Sequence, residues 1–125
     1  MSVWLVFLGG GIGSVLRYGM SSISVRWVGS GFPYGTLAIN VLGSFLMGAV
    51  AQYFLVRTGL PQGLRLFLTT GLLGGFTTFS TFSLESVLLY QRGDTAAAAS
   101  YVLASIVLGL GGLIAGWTLL RHLGA

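Results

Sequence analysis

The sequence contains few of the residues that form disulfides, metal sites or the active sites of enzymes. It has no cysteine and no lysine, and only two acidic residues, one histidine and two prolines among 125 positions. Without cysteine the chain forms no disulfide, thiolate metal site or cysteine nucleophile. One histidine and two widely separated acids do not make a metal cluster within one chain. No nucleophile–base pair or Gly-x-Gly-x-x-Gly cofactor loop is present, so we predict that the protein is not an enzyme.

Charge is the second scarce property. Charged residues make up 6% of the chain, against about 25% in ordinary soluble domains. Hydrophobic residues make up 54%, and the mean hydropathy is +0.91. A soluble domain of this length has too much surface to cover with so few charges, which excludes soluble and disordered classes. The net charge of +4 comes from scattered arginines without a basic run. We therefore predict loop arginines that set membrane topology, and no nucleic-acid partner.

The hydrophobic pattern predicts one all-α membrane domain over residues 1–125, with four transmembrane helices at about residues 3–25, 35–56, 64–90 and 95–121. Each is long enough for the ~20 apolar residues that a membrane span needs. Pro33 and Pro61 fall in the first two connectors, and Asp94 or Thr95 is placed to cap the fourth helix. We interpret the first helix as a retained span rather than a signal peptide, because no positive segment precedes it. Both termini then lie on one side.

The arginines give almost no preference for either orientation. Arg57, Arg65 and Arg121 fall on the side of the termini, and Arg26 and Arg92 fall on the other side. Orientation follows the Lys/Arg bias of short loops, and this bias is small. Two interpretations stay open: the chain inserts both ways and pairs with an inverted copy, or one extra arginine and the N-terminal amine fix a single orientation.

Glycine is abundant, with 21 residues, and recurs at spacings of four. The pairs are Gly9 and Gly13, Gly71 and Gly75, and Gly112 and Gly116. Small residues at this spacing let membrane helices approach closely. We expect the helices to pack along these glycine stripes.

Polar side chains recur on helical spacing inside two of the spans. Thr36 and Asn40 lie four apart in the second helix, and Tyr101 and Ser105 lie four apart in the fourth. An Asn amide is costly in lipid unless it is hydrogen-bonded, so we expect Asn40 to face a partner or a polar passage. Plain hydrogen bonding between helices is the alternative.

The third span contains the highest density of glycine and hydroxyl residues that are unusual in a transmembrane helix. Gly74 and Gly75 form a poor helix-forming pair, and five hydroxyl residues follow between residues 77 and 83. A helix that breaks at membrane depth exposes carbonyls that favour cations, and half-helix N-termini favour anions. We predict a break at mid-membrane. A continuous helix with hydroxyls bonded to carbonyls four residues back is the alternative.

Two phenylalanines and two ionisable residues complete the candidate site. Phe79 and Phe82 lie three apart on one face, and their electropositive ring edges would suit a small anion without a formal charge. Phe side chains that face lipid are the alternative. Arg17 and Glu85 are the only ionisable residues that could lie at membrane depth, although snorkelling toward headgroups would explain both.

These residues resemble the Fluc (CrcB) fluoride-channel family over essentially the whole chain. The resemblance is carried by three motifs: GGGIGSVLRY at 9–18, GTLAINVLGSF at 35–45 and GGFTTFSTFSLE at 74–85. It implies a passive, fluoride-selective channel in the bacterial cytoplasmic membrane, one that exports fluoride and protects against its toxicity. It also implies an antiparallel, dual-topology homodimer with two pores, each lined by both subunits.

The resemblance also implies roles for individual residues. Phe79 and Phe82 would present ring edges to fluoride, and Asn40 would donate its amide in the pore. The resemblance extends the pore lining to a polar track of Thr36, Tyr101 and Ser105.

The remaining implied roles concern the break and the pore ends. Backbone carbonyls of Gly74 and Thr77, two per subunit, would hold a structural Na⁺ on the dimer axis. Arg17 would lie at a vestibule and draw anions inward. Glu85 matches a motif position near a pore end, without a defined role.

Two other classes fit parts of the pattern. Small multidrug-resistance exporters share the length, four spans and antiparallel dimers, but they need a carboxylate in the first helix, where this chain has only Arg17. A small non-transport assembly subunit would account for the glycine stripes, but it leaves Asn40 and the hydroxyl-rich run at 77–83 without a purpose.

Overall fold

The structure is a computed structural model that describes residues 2–124, and it is entirely helical in its regular elements. The elements in chain order are α1 (Ser2–Val28), α2 (Tyr34–Val56), α3 (Gln62–Leu66), a π-helical segment (Phe67–Leu73), α4 (Gly74–Phe76), α5 (Phe79–Gln91) and α6 (Thr95–His122). The helices form four spans that are long and apolar enough to cross a membrane, because α3 through α5 make one broken span over Gln62–Gln91. The prediction of four membrane-spanning helices is confirmed.

The helix ends follow from local sequence. Gly29, with a φ of +81°, ends α1 three residues beyond the predicted limit, since the left-handed conformation is open to glycine. Pro33 and Pro61 precede α2 and α3, where a missing N–H is tolerated. Asp94 caps α6 by accepting a hydrogen bond from the Ala97 N–H at 3.3 Å. Of the two predicted caps, the side chain of Asp94 is therefore the one used.

The predicted interruption of the third span is present, and it lies just after the Gly-Gly pair. Gly74 and Gly75 are themselves helical, and α4 ends at Phe76. Thr77 and Thr78 are extended, with φ/ψ of −84°/159° and −153°/120°. The Thr78 hydroxyl then accepts from the Thr81 N–H at 3.2 Å and starts α5 as a capping residue. The hydroxyl-rich run thus begins a new helix instead of continuing the old one.

Glycines form the contacts between spans, as predicted. A Cβ at Gly116 would overlap the Phe45 carbonyl, and a Cβ at Gly48 would overlap the Leu113 carbonyl, so α2 and α6 are in backbone contact. The same holds between α1 and the third span, where Gly13 lies against the Leu72 carbonyl. α2 and α6 share the most extensive contact of the fold. Close backbone approach of this kind is the packing mode of membrane helices.

The exterior of the fold is apolar. Large side chains such as Trp4, Val15 and Leu110 are well exposed along the spans. Few side chains are buried within the chain itself, and the largest fully buried ones are Tyr101 and Ile39. Such a large exposed apolar surface is unfavourable in water but favourable in contact with lipid chains.

Candidate functional site

A cavity of about 430 Å³ lies beside the break of the third span. Its walls come from α2, the Thr77–Thr78 break, the first turn of α5 and the middle of α6. The polar and aromatic lining residues are Asn40, Ser44, Thr77, Thr78, Phe79, Phe82 and Ser105. No charged side chain lines it. The cavity therefore brings together residues from all three regions that the sequence analysis singled out as polar.

Phe79 and Phe82 occupy the first turn of α5 because Thr78 caps that helix. Their ring centroids lie 5.5 Å apart, so both rings belong to one wall of the cavity. Phe82 also packs on the buried Tyr101 ring at 5.2 Å, whereas Phe79 is 77% exposed in the single chain. One ring is thus anchored and the other lies on an open face.

Asn40 is held by the backbone of the break. Its Nδ2 donates to the Thr78 carbonyl at 3.0 Å, and its Oδ1 accepts from the Thr78 N–H at 2.9 Å. An Asn amide carries two N–H donors, so one remains for the cavity that Asn40 lines. The free-energy cost of burying this amide is offset by its hydrogen bonds to two backbone groups, the N–H and the carbonyl of Thr78, which lie at the break.

Among the residues described, Ser105 is the one that brings a buried, unpaired hydroxyl to the cavity. Its Oγ is buried and has no hydrogen-bond partner in residues 2–124. A buried hydroxyl without a partner is uncommon and points to an absent ligand, water or neighbouring chain. It faces the same cavity as Asn40.

Thr36, Tyr101 and Glu85 form a separate polar cluster one helical turn from Asn40. The Tyr101 hydroxyl donates to Glu85 Oε1 at 3.1 Å, and Thr36 also hydrogen-bonds Tyr101. Tyr101 is fully buried, and Thr36 is nearly so. This finding supplies a partner for Glu85 that the sequence did not indicate.

That cluster borders a second cavity of about 210 Å³ at the end of the fold where α1 meets α2. Thr36 and Glu85 line it together with Ser21, Ser24 and Arg92. The residues of the predicted polar track border different cavities, since Thr36 lines the second and Ser105 lines the first. The Phe82 ring of the first cavity contacts the Tyr101 ring. Sequence reasoning missed Ser21 and Ser24, although hydroxyls three apart on α1 were a possible signal.

The break also leaves carbonyl groups free. In a continuous helix the Gly74 carbonyl would accept from the Thr78 N–H, which here donates to Asn40. The Thr77 carbonyl would accept from the Thr81 N–H, which here donates to the Thr78 hydroxyl. Within residues 2–124, neither carbonyl makes a hydrogen bond. Free carbonyl oxygens at a break in a membrane helix suit a hard cation such as Na⁺, so the donor set fits the ion that the resemblance implies.

Arg17 lies against the same break from the side of α1. Its Nε donates to the Gly75 carbonyl at 3.2 Å. It is only partly exposed. The structure therefore gives Arg17 a partner within its own chain, which the sequence analysis did not foresee.

Fold and site together define a multi-pass α-helical membrane protein with an uncharged polar cavity beside a broken helix. In the part of the chain that the structure describes, no group of three His, Cys, Asp or Glu side chains is placed to hold a metal.

Comparison with known proteins identifies the family. Residues 4–117 match the family model described as CrcB-like protein, Camphor Resistance (CrcB). The chain is 55% identical over 123 residues to a fluoride-specific ion channel FluC of Granulibacter bethesdensis, covering 98% of this chain and 97% of the relative. It is 52% identical to the FluC of a Methylobacterium species (strain 4-46), with 99% of each chain covered. This chain belongs to the CrcB family, which confirms the resemblance that its three motifs indicated.

The relatives also bear on the class of activity. They are named as ion channels, which transport and do not catalyse a reaction. The prediction that this chain is not an enzyme agrees with its family.

Proposed function

We propose that this chain forms a passive, fluoride-selective channel that lets fluoride leave the cytoplasm down its electrochemical gradient and so protects against fluoride toxicity. The observation that carries the proposal is the uncharged wall of the 430 Å³ cavity, where Phe79 and Phe82 meet Asn40 and Ser105. The names of the similar proteins, fluoride-specific ion channels, point to the same ion.

The chemistry of the wall suits a small anion that must be bound and released. Aromatic ring edges are weakly electropositive, and each offers attraction without a full charge. Asn40 retains one free N–H, and the Ser105 hydroxyl lacks a partner, so both are free to donate to fluoride. Weak sites in series favour conduction over trapping. Fluoride would exchange water for these donors one by one.

Thr36 and Tyr101 would continue the path as a polar track, and Arg17 would draw anions toward a vestibule. Thr36 borders the second cavity, which opens the track toward one end of the fold. The two Nη groups of Arg17 make no hydrogen bond with residues 2–124, so its charge is available to an approaching anion. Glu85 accepts a hydrogen bond from Tyr101 and lines the same second cavity as Thr36, so it would lie at that end of the track.

The working unit in this proposal is an antiparallel, dual-topology homodimer with two pores, each lined by both subunits. Phe79 is 77% exposed in a single chain and would be covered by a second copy. The near balance of arginines on the two sides is compatible with insertion in both orientations. A structural Na⁺ on the dimer axis would be held by the free carbonyls of Gly74 and Thr77 from each subunit.

The direction of transport follows from acid–base chemistry and the membrane potential. HF crosses a bilayer as a neutral acid and dissociates in a more alkaline cytoplasm, where the anion is trapped. An inside-negative potential drives each anion outward by about 2.3 kcal/mol per 100 mV, so a passive pore suffices. We accordingly place the protein in the bacterial cytoplasmic (inner) membrane, with lipid and a second copy of itself as its partners.

The small multidrug-resistance exporter is not supported. Its mechanism requires a membrane-embedded carboxylate in the first helix, and α1 contains none. The two acids of the chain are Glu85 in α5 and Asp94, which caps α6. A purely structural assembly subunit leaves the cavity and the unpaired Ser105 hydroxyl unexplained.

Purified protein in liposomes tests the proposal. Vesicles loaded with potassium fluoride should release fluoride once valinomycin relieves the charge imbalance, whereas vesicles loaded with potassium chloride should retain chloride. Protein-free vesicles and vesicles carrying an unrelated four-helix membrane protein are the controls. Equal release of the two halides would refute selectivity, and release of neither would refute the channel.

A further inference from the structure

Arg17 contacts the third span at a carbonyl that has lost its helical partner. In a continuous helix the Gly75 carbonyl would accept from the Phe79 N–H, four residues on. The extended residues at 77 and 78 prevent that bond. The Arg17 Nε takes the place of the N–H at 3.2 Å.

The position of Arg17 is set by backbone contacts along α1. Gly9, Gly13 and Arg17 recur every four residues and share one face of that helix. A Cβ at Gly9 would lie 2.8 Å from the Leu72 nitrogen, and one at Gly13 would lie 2.8 Å from the Phe76 nitrogen. The two glycines therefore press α1 against the span up to the last residue before the break. Arg17 is the next residue on that face.

Asn40 binds the backbone on the other side of the break from Arg17. Its amide pairs with both backbone groups of Thr78. Between these two anchors lie the carbonyls of Gly74 and Thr77, which make no hydrogen bond within residues 2–124. Asn40 fixes the peptide that carries the Thr77 carbonyl, because the Thr78 N–H belongs to the same peptide unit. Arg17 fixes the Gly75–Phe76 peptide, which directly follows the unit that carries the Gly74 carbonyl.

We propose that Arg17 is a positioning residue for the cation site at the break, acting through the Gly75 carbonyl rather than through its charge. This inference rests on the Na⁺ site of the proposed function. A guanidinium charge beside a cation opposes cation binding, so only the Nε–H donor of Arg17 contributes to the site favourably. Loss of that donor frees the Gly75–Phe76 peptide to turn. Because this peptide directly follows the one that carries the Gly74 carbonyl, the Gly74 oxygen then loses its fixed direction.

Two substitutions separate the donor from the charge. Arg17→Gln places an amide N–H at the same chain position as the arginine Nε and removes the charge. Arg17→Lys keeps the charge but places a methylene at that position. Arg26→Gln, at the exposed end of α1, is the matched control for loss of a positive charge.

The measurement is the midpoint temperature of thermal unfolding of the full-length protein in detergent. The NaCl concentration is raised in steps, and N-methylglucamine chloride is lowered by the same amount so that the ionic strength stays constant. Ligand binding stabilises the folded protein by an amount that grows with the logarithm of one plus the ratio of free Na⁺ concentration to Kd, so the midpoints yield an apparent Na⁺ affinity. We expect R17Q and R26Q to stay within about twofold of the unsubstituted protein. We expect R17K to need roughly tenfold more Na⁺, a factor equivalent to about 1.4 kcal/mol.

A tenfold loss of Na⁺ affinity in R17Q with wild-type behaviour in R17K would show that the charge matters and would overturn the proposal. If R17K does not fold, Arg17→Met, which has neither the charge nor a donor at the Nε position, takes its place: a roughly tenfold loss beside a normal R17Q supports the proposal, and retained affinity overturns it. An unsubstituted protein without any Na⁺ response would remove the cation site itself. Fluoride release in liposomes, measured separately, would still decide the channel.

Discussion

At the scale of the residue, Phe79 and Phe82 illustrate how neighbours in one helical turn meet different surroundings. Phe82 is fixed by the Tyr101 ring, while Phe79 is exposed on the open side of the cavity. An anchored ring holds its edge in a constant direction, whereas an exposed ring is free to be covered by a neighbour. In the proposed dimer, Phe79 would be the ring that the second copy covers.

We predict that Phe79→Ile and Phe82→Ile each lower fluoride release at least tenfold, because an aliphatic side chain keeps the bulk of the lining but lacks an electropositive edge. Fluoride efflux from liposomes measures the effect, and size-exclusion chromatography checks that the dimer persists. Phe7→Ile, on the exposed side of α1, is the control and should conduct normally. Unchanged efflux in both cavity variants would contradict ring-edge coordination.

The sequence singled out these side chains as candidates but did not indicate what they contact. The cost of burying an amide already singled out Asn40. Its partner is the backbone of Thr78, 38 residues away. Spacing rules describe neighbours within one helix, and they carry no information on which carbonyl of another helix lies opposite.

At the scale of the element, the third span shows how a break is produced. The Gly-Gly pair weakens the helix, and the extended Thr77 and Thr78 end it. The Thr78 hydroxyl then caps the next helix. Weak propensity permits the break, and the hydrogen bonds from Asn40 and Arg17 stabilise it.

Glycine packing gives a prediction at this scale. Gly116→Ala in α6 should destabilise the fold by about 1–3 kcal/mol, because its Cβ would overlap the Phe45 carbonyl of α2 and push the helices apart. Gly111→Ala, in the same helix but with nothing within 4 Å, is the matched control and should be neutral or slightly stabilising. Thermal unfolding in detergent measures both. Equal effects would show that the α2–α6 contact is not limited by backbone approach.

At the scale of the whole molecule, several features of the single chain agree with the proposed dimer. Phe79 beside the cavity is exposed, and the Ser105 hydroxyl has no partner in residues 2–124. A single chain offers a cation two free carbonyls at the break, those of Gly74 and Thr77. An inverted second copy would cover Phe79 and would double the number of carbonyls to four.

Biasing the orientation tests this arrangement. Thr58→Arg with Gln62→Arg adds charge to one side, and Gln91→Arg with Ala96→Arg adds it to the other. Each double variant alone should insert one way and lose at least nine-tenths of fluoride release, while co-expression should restore it. Orientation is read by labelling a single cysteine, since the chain has none of its own. It is placed at the exposed Ser30 in the Thr58/Gln62 variant and at Thr58 in the Gln91/Ala96 variant. A variant held in one orientation that conducts normally would contradict the antiparallel dimer.

The sequence by itself determined the class of this protein. A scarcity of charge, four apolar stretches and glycines at spacings of four require a helical membrane protein with close packing, because lipid admits few other solutions. The motifs then indicated the family. Only the tertiary structure decided the partners: Asn40 with Thr78, Arg17 with Gly75, and Tyr101 with Glu85. These bonds join different helices, and their geometry depends on where the break turns the backbone, which no local pattern specifies.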